Sequence, residues 1–115
     1  MREVFAGLLA VDGVRGVLFF SPAGDLLFEE FTINAATRPL VREWRALLDA
    51  AAGFREAELI FEKGRIYMRD VGAGTLLVPS GLIAPSALIR LNCDILIPSL
   101  RQLKPAKGLR RFFRR

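Results

Sequence analysis

The sequence predicts an α+β domain in which three helices cover a single five-stranded antiparallel sheet, in the order α-β-β-α-β-β-β-α. Three observations support this prediction. Two pairs of apolar segments are joined by short turns, as in antiparallel hairpins. One long segment has the apolar spacing of an amphipathic helix. The chain has 115 residues and is 52% hydrophobic, which suffices to bury the core of one domain.

The first predicted helix covers residues 2–11. Apolar side chains recur there at the spacing of one helical face, which comprises Val4, Phe5, Leu8, Leu9 and Val11. Asp12-Gly13 is expected to end this helix, because glycine readily takes the left-handed conformation that follows many helices.

The first hairpin is predicted over residues 14–31. Residues 14–20 are mostly apolar, as in a central strand that is covered on both faces. The following turn has Pro22 at a position that suits proline and Gly24 at a position that favours a left-handed residue. Residues 26–31 are expected to return as the partner strand.

The second helix has the clearest helical pattern in the chain. Thr37 is a suitable N-cap, Pro39 lies in the first turn, and Gly53 ends the helix. Trp44 is expected to lie in the core. The apolar face of this helix comprises Leu40, Val41, Trp44, Leu47, Leu48 and Ala51.

The second hairpin is predicted over residues 56–71, with its turn at Lys63-Gly64 and a positive φ at the glycine. This turn would place Glu62 opposite Arg65 and Glu58 opposite Arg69, as two stabilising charge pairs with Ile60 facing Tyr67 between them. Alternate residues would form the core face, which comprises Leu59, Phe61, Ile66 and Met68.

The last strand and helix complete the predicted domain, which covers residues 1–103. Residues 75–78 are expected to form the fifth strand, and a final helix is expected to run through Leu103. Pro98 should kink or split that helix near Ile97. Cys93 lies in the same helix and is expected to be a buried structural thiol.

The composition argues against several classes of function. The chain has no histidine, which is the commonest general base and zinc ligand. Its acidic residues lack metal-binding spacing, and the glycines at 72 and 74 do not form a phosphate loop. We therefore expect no enzyme activity, metal or cofactor. One cysteine is compatible with a reducing cytoplasm, and five Gly or Pro residues make the uncharged segment 71–89 a poor membrane span.

The chain resembles the roadblock family, the small domains of dynein light chains and of bacterial gliding-motility GTPase activators. The resemblance covers about residues 2–103 and depends on the element order and on three local patterns. These are Val11-Asp12-Gly13-Val14 leading into the strand that contains Gly16, the turn Pro22-Ala23-Gly24-Asp25-Leu26, and the glycine-rich entry to the fifth strand. Longin and profilin-like domains share much of this sandwich architecture, so fold alone does not define function. Pro98 and the basic tail depart from the family pattern.

The resemblance implies a homodimer that binds and regulates a Ras-like small GTPase. The third strand, residues 57–62, would pair with its symmetry mate, and the second helices would lie antiparallel. An apolar edge strand of this kind does need covering. The expected dimer interface comprises Ala57, Leu59, Ile60, Phe61 and Tyr67. A basic strip of Arg38, Arg42 and Arg45 would face the partner, although a solvated helix face is the simpler interpretation.

The basic tail, residues 104–115, supports an alternative function as a dimeric scaffold or recruitment module. The chain carries seven Lys/Arg and no acid from Arg101 onward, against ten Lys/Arg and twelve Asp/Glu before it. Such a tail suits an anionic membrane surface or an acidic partner, whereas nucleic acid is less favoured because the body offers no basic surface. A solvated tail is the simplest interpretation. The candidate residues are Arg110, Arg111, Phe112, Phe113, Arg114 and Arg115.

Overall fold

The computed structural model describes residues 2–32 and 44–102, and it confirms the predicted fold class. A 3-10 turn over Arg2–Phe5 leads into a short helix, and five strands and two further helices follow. The helices are α1 (Ala6–Leu9), α2 (Trp44–Ala50 of the described residues) and α3 (Ser86–Gln102). The strands are β1 (Gly16–Phe20), β2 (Leu26–Phe31), β3 (Glu56–Phe61), β4 (Gly64–Asp70) and β5 (Thr75–Ser80).

The five strands form one antiparallel sheet in the order β2-β1-β5-β4-β3. Strand β5 lies at the centre, and β2 and β3 lie at the two edges. All five residues of β1 are buried, as expected for a strand covered on both faces. The predicted turn before β2 is also confirmed, because Gly24 has a φ of 93° and donates its backbone N–H to the Ser21 carbonyl at 2.9 Å.

Two cores lie on opposite faces of the sheet, because successive residues of a strand point to opposite sides. On one face, α1 and α3 pack on alternate residues of the central strands. Phe5 stacks on Phe28 with ring centroids 4.7 Å apart, and it contacts Phe19 at 6.0 Å. The buried side of α3 completes this core with Ile89, Cys93, Leu96 and Leu100.

The other face is covered by α2. Trp44 is 2% exposed and lies 6.3 Å from the rings of both Phe20 and Phe31, which confirms its predicted place in the core. Its indole N–H finds no acceptor among the described residues. This second core also contains Leu18, Ile66, Met68 and Leu77.

The predicted register of the second hairpin is wrong by two residues. Phe61 pairs with Gly64, so the turn lies at Glu62-Lys63 and the glycine belongs to the strand. Gly64 is not among the glycines with a positive φ. It is needed instead for a close approach, since a Cβ there would stand 2.7 Å from the Ser80 carbonyl oxygen.

Both predicted charge pairs are wrong for the same reason. Glu58 lies opposite Tyr67 rather than Arg69, and Ile60 lies opposite Arg65 rather than Tyr67. A shift of two residues leaves every side chain on its predicted face, because the side-chain period of a strand is two. Leu59, Ile66 and Met68 of the predicted core face therefore do pack in the α2 core. The prediction is wrong for Phe61, which shares their face but is 41% exposed at the end of the edge strand.

Two helices differ from their predicted form. The first is shorter than expected, with a 3-10 turn followed by four α-helical residues. The last runs without interruption from Ser86 to Gln102, so Pro98 does not split it. Pro98 is exposed, and its missing N–H leaves the carbonyl of Asp94 on the solvent side of the helix.

Candidate interaction surface

The β3 edge is the first candidate surface, because β3 pairs with β4 alone among the described strands. Ile60 is 71% exposed and Phe61 is 41% exposed. Ala57 and Leu59 are half-buried, and Leu59 packs against the α2 core. Tyr67 differs from these four, because it lies buried in β4 beneath α3. Four of the five predicted interface residues therefore lie together on the edge strand.

A hydrogen-bonded charge network joins β3 and β4 to α3. Tyr67 donates its hydroxyl proton to Glu56 Oε1 at 2.5 Å, and Arg90 of α3 donates to Glu56 Oε2 at 2.6 Å. Arg69 donates to the Tyr67 hydroxyl at 3.0 Å and to Asp94 of α3 at 2.6 Å. The glutamate and arginine side chains thus orient α3 on the sheet beside the edge strand.

The network changes the acidity of its members. Hydrogen bonds from Arg90 and Tyr67 lower the pKa of Glu56 to about 2. Burial, together with the bond to Glu56, raises the pKa of Tyr67 to about 12. The Glu56 carboxylate therefore stays ionised and the Tyr67 hydroxyl stays protonated across the physiological pH range, which keeps the hydrogen bonds of the network intact.

Arg65 fastens the start of α3 to the sheet. Its guanidinium donates to the backbone carbonyls of Gly81 and Ala84 and to the Ser86 hydroxyl. It also donates to Glu58 Oε2 at 3.1 Å, diagonally across the hairpin. The position of α3 is therefore determined at its N-terminal end by this arginine and further along by Arg69 and Arg90.

Of the three arginines in the predicted basic strip, Arg45 is among the described residues, whereas Arg38 and Arg42 lie outside them. Arg45 is exposed on α2, and its Nη1 lies 3.0 Å from the place that a Cβ on Gly24 would take. It borders a cleft of about 330 Å³ between α2, the β1–β2 turn and the β4–β5 turn. The tail residues 104–115, with their predicted membrane or acidic-partner contacts, also lie outside the described residues.

A second apolar surface, which was not predicted from the sequence, lies on the outer side of α3. Leu88, Leu91 and Ile95 are 47%, 51% and 65% exposed, on the side of the helix opposite its buried residues. Just before α3, Leu82 is 48% exposed and Ile83 is 96% exposed. The spacing of i, i+3 and i+7 within α3 is a signal that could have revealed a second apolar face.

Within residues 2–32 and 44–102, no three acidic, histidine or cysteine side chains converge as they would around a metal ion. Burial raises the pKa of Cys93 to about 12, so this thiol is a poor nucleophile, and its predicted burial is confirmed. None of the helices in the described ranges combines the length and apolar character that spanning a membrane requires.

Comparison with known proteins gives the fold. No protein-family model matches the sequence, and no curated protein matches it significantly. Among solved structures, a Roadblock/LC7 domain from Streptomyces avermitilis is 15% identical with a TM-score of 0.67, covering 89% of this chain and 95% of its own. MglB from Myxococcus xanthus is 18% identical with a TM-score of 0.66, covering 90% of both chains. MglC from the same organism is 16% identical with a TM-score of 0.61, covering 89% of this chain and 93% of its own. The chain therefore has the roadblock fold.

Proposed function

We propose that this protein is a non-enzymatic, homodimeric interaction protein that binds and regulates a Ras-like small GTPase. The observation that carries the proposal is the β3 edge, an apolar strand at the border of a roadblock-type sheet. The GTPase follows from the roadblock resemblance, which implies that class of partner.

The dimer would form where β3 meets β3 of a second copy. The backbone groups on the outer side of an edge strand are available to pair with another strand. Ile60 and Phe61 point to opposite faces of the sheet and are both exposed, so a paired strand would cover apolar surface on each side. A twofold axis between two copies of β3 makes the contact self-complementary.

The dimer interface is tested by the double variant Ile60→Lys with Phe61→Asp, which leaves the net charge unchanged. Both side chains are exposed, so the isolated domain should still fold, as checked by circular dichroism. Light scattering should show a monomer for the variant and a dimer for the wild type. Ile83→Lys is the control, because Ile83 is 96% exposed away from β3. A dimeric double variant would refute the proposed interface.

The GTPase would contact the α2 side of the dimer, where Arg45 is exposed beside the cleft. A guanidinium suits the carboxylates of an acidic protein surface. The test is a pull-down of a small GTPase from the source lysate, in GDP and in a non-hydrolysable GTP analogue. We expect enrichment with the analogue, and about a tenfold loss for Arg45→Glu, because the reversed charge would repel an acidic partner surface. Lys63→Glu, at the opposite end of the sheet, should bind normally. Equal recovery by both variants would exclude Arg45 from the contact.

A second proposal concerns the tail. We propose that residues 104–115 attach the protein to an anionic membrane surface. The supporting observation is the separation of charge along the chain, since the tail holds six basic residues and no acid. Each basic residue near such a surface contributes up to about 1 kcal/mol. Truncation after Leu103 should abolish sedimentation with anionic vesicles and leave the melting temperature unchanged, whereas equal sedimentation of both forms would refute this role.

A further inference from the structure

The outer side of α3 is apolar over about two helical turns without a covering element among the described residues. The buried side of the helix already supplies its packing, through Ile89, Cys93, Leu96 and Leu100. Leu88, Leu91 and Ile95 on the outer side therefore add nothing to the described core. Contiguous apolar patches that stay exposed on a protein surface often mark interaction sites.

Two further exposed apolar residues come just before the helix in the sequence. Leu82 and Ile83 lie in the loop that connects β5 to α3, and Arg65 fixes that loop through the carbonyls of Gly81 and Ala84. Ile83 is nearly fully exposed, at 96%. The α3 stripe, which we define as Leu82, Ile83, Leu88, Leu91 and Ile95, is therefore held in place by the sheet.

The charges around the α3 stripe indicate what would cover it. Asp94, the acidic residue of α3, is engaged by Arg69 at 2.6 Å. No acidic residue follows Asp94 in the sequence, whereas seven basic residues do, beginning with Arg101 in the last turn of α3. The helix with the exposed apolar face is thus followed, in the sequence, by a strongly basic segment.

We propose that the α3 stripe is a membrane-docking face that inserts its apolar side chains among the lipids of an anionic bilayer. The inference deepens the second proposal above and rests on the tail's attachment to lipid. Peripheral proteins bind such surfaces stably when an apolar contact and a basic segment act together, since either signal alone gives marginal binding. A second copy of the chain would cover the apolar residues, but its own basic tail would not attract the positive charge, whereas an anionic bilayer would.

The experiment measures sedimentation of the full chain with vesicles of phosphatidylcholine containing about 30 mol% phosphatidylserine. The test variant is Leu91→Gln with Ile95→Gln, because glutamine keeps a high helix propensity and the net charge. The control is Leu26→Gln with Phe54→Gln, which removes two other exposed apolar side chains, 38% and 64% exposed. We expect about a tenfold or greater loss of vesicle affinity for the test variant and no change for the control.

Salt separates the two contributions. Raising the salt from about 0.1 M to 0.5 M weakens the attraction of the tail but not the apolar contact. The wild type should therefore retain more binding at high salt than the test variant. The protein truncated after Leu103 should no longer sediment with the vesicles at low salt.

Each outcome assigns a failure to one proposal. If the test variant binds vesicles as the wild type does while truncation abolishes binding, the tail proposal stands and the α3 stripe is not a docking face. If truncation changes nothing while the test variant loses binding, the tail proposal fails and the stripe binds by itself. If the wild type does not bind vesicles, the inference is overturned. If the test variant forms a smaller oligomer than the wild type in light scattering, the α3 stripe is instead covered by a second copy of the chain.

Discussion

At the scale of single residues, Tyr67 shows how one side chain joins the apolar core to the polar edge of the sheet. Its ring lies in the core beneath α3, while its hydroxyl reaches Glu56 and Arg69. A buried hydroxyl needs such partners, because an unsatisfied one costs about 1–3 kcal/mol. We propose Ile60 and Phe61, rather than Tyr67, as the principal dimer contacts.

The network around Glu56 gives a pH dependence with a definite sign. The pKa of Glu56 is lowered from 4.5 to about 2 in the folded state, so its contribution to stability is fully present above pH 4.5 and is lost as the pH falls toward 2. Glu56→Gln should lower the melting temperature at pH 7 by about 2–5 °C, since solvent screens a pair at the surface.

The difference between Glu56→Gln and the wild type should shrink below pH 4.5 and vanish near pH 2, as followed by thermal denaturation. Glu62→Gln is the control, because it removes a carboxylate from the exposed hairpin turn. A constant difference from pH 7 to pH 2 would mean that the carboxylate charge is not what stabilises the network.

Residue partners were the least predictable feature of this chain. Burial of Trp44 and Cys93 follows from their apolar spacing and was correctly predicted. The charge pairs of the second hairpin were not, because a register shift of two residues leaves the face of every side chain unchanged. Gly64 is explained by a contact distant in sequence, the close approach of the Ser80 carbonyl on β5, and a hairpin pattern alone does not reveal such a contact.

At the scale of secondary structure, α3 is a helix with two apolar sides and a proline. Strand β2 was predicted at its observed bounds, since the residues of the preceding turn are typical of a tight turn. The continuity of α3 was not predicted, because intrinsic preference alone disfavours an interior proline. Packing of four buried residues along α3, together with three arginines that hold it to the sheet, outweighs that local preference.

Pro98 should therefore lower the free energy of unfolding, and the packing of the rest of α3 compensates for that loss. Pro98→Ala restores a backbone N–H that can donate to the Asp94 carbonyl and removes a steric conflict. We expect the free energy of unfolding to rise by about 1–3 kcal/mol, as measured by urea denaturation. Ser99→Ala, at the neighbouring exposed position, should gain only a few tenths of a kcal/mol. Equal effects of both variants would mean that the helix accommodates the proline without strain.

At the scale of the whole molecule, the two faces of the sheet are unequal. The α2 face carries Arg45, and the opposite face carries the α3 stripe. Pairing of β3 with β3 about a twofold axis perpendicular to the sheet would keep each face on its own side. Both α3 stripes would then point one way and both α2 helices the other, so that the proposed dimer could bind lipid and a GTPase at once.

This arrangement predicts that vesicle binding depends on dimerisation. The variant Ile60→Lys with Phe61→Asp keeps the α3 stripe, the tail and the net charge, but presents one copy of each. Its apparent vesicle affinity should fall by about 10–100-fold, because the second contact of a dimer is intramolecular. Sedimentation at equal protomer concentration checks this. Ile83→Lys, the control for dimerisation, does not serve here because Ile83 belongs to the α3 stripe. An unchanged affinity would mean that the two stripes do not bind one bilayer together.

The buried state of Cys93 has a practical consequence for following such an assembly. It is the one cysteine of the sequence, and burial keeps it protonated and shielded. The native chain thus provides a background that should be silent toward maleimide dyes. A cysteine introduced at Lys63, in the exposed turn beside β3, would take a fluorophore selectively. Energy transfer between two such labels would then report the distance across the β3–β3 interface while the dimer is bound to a membrane or to its partner.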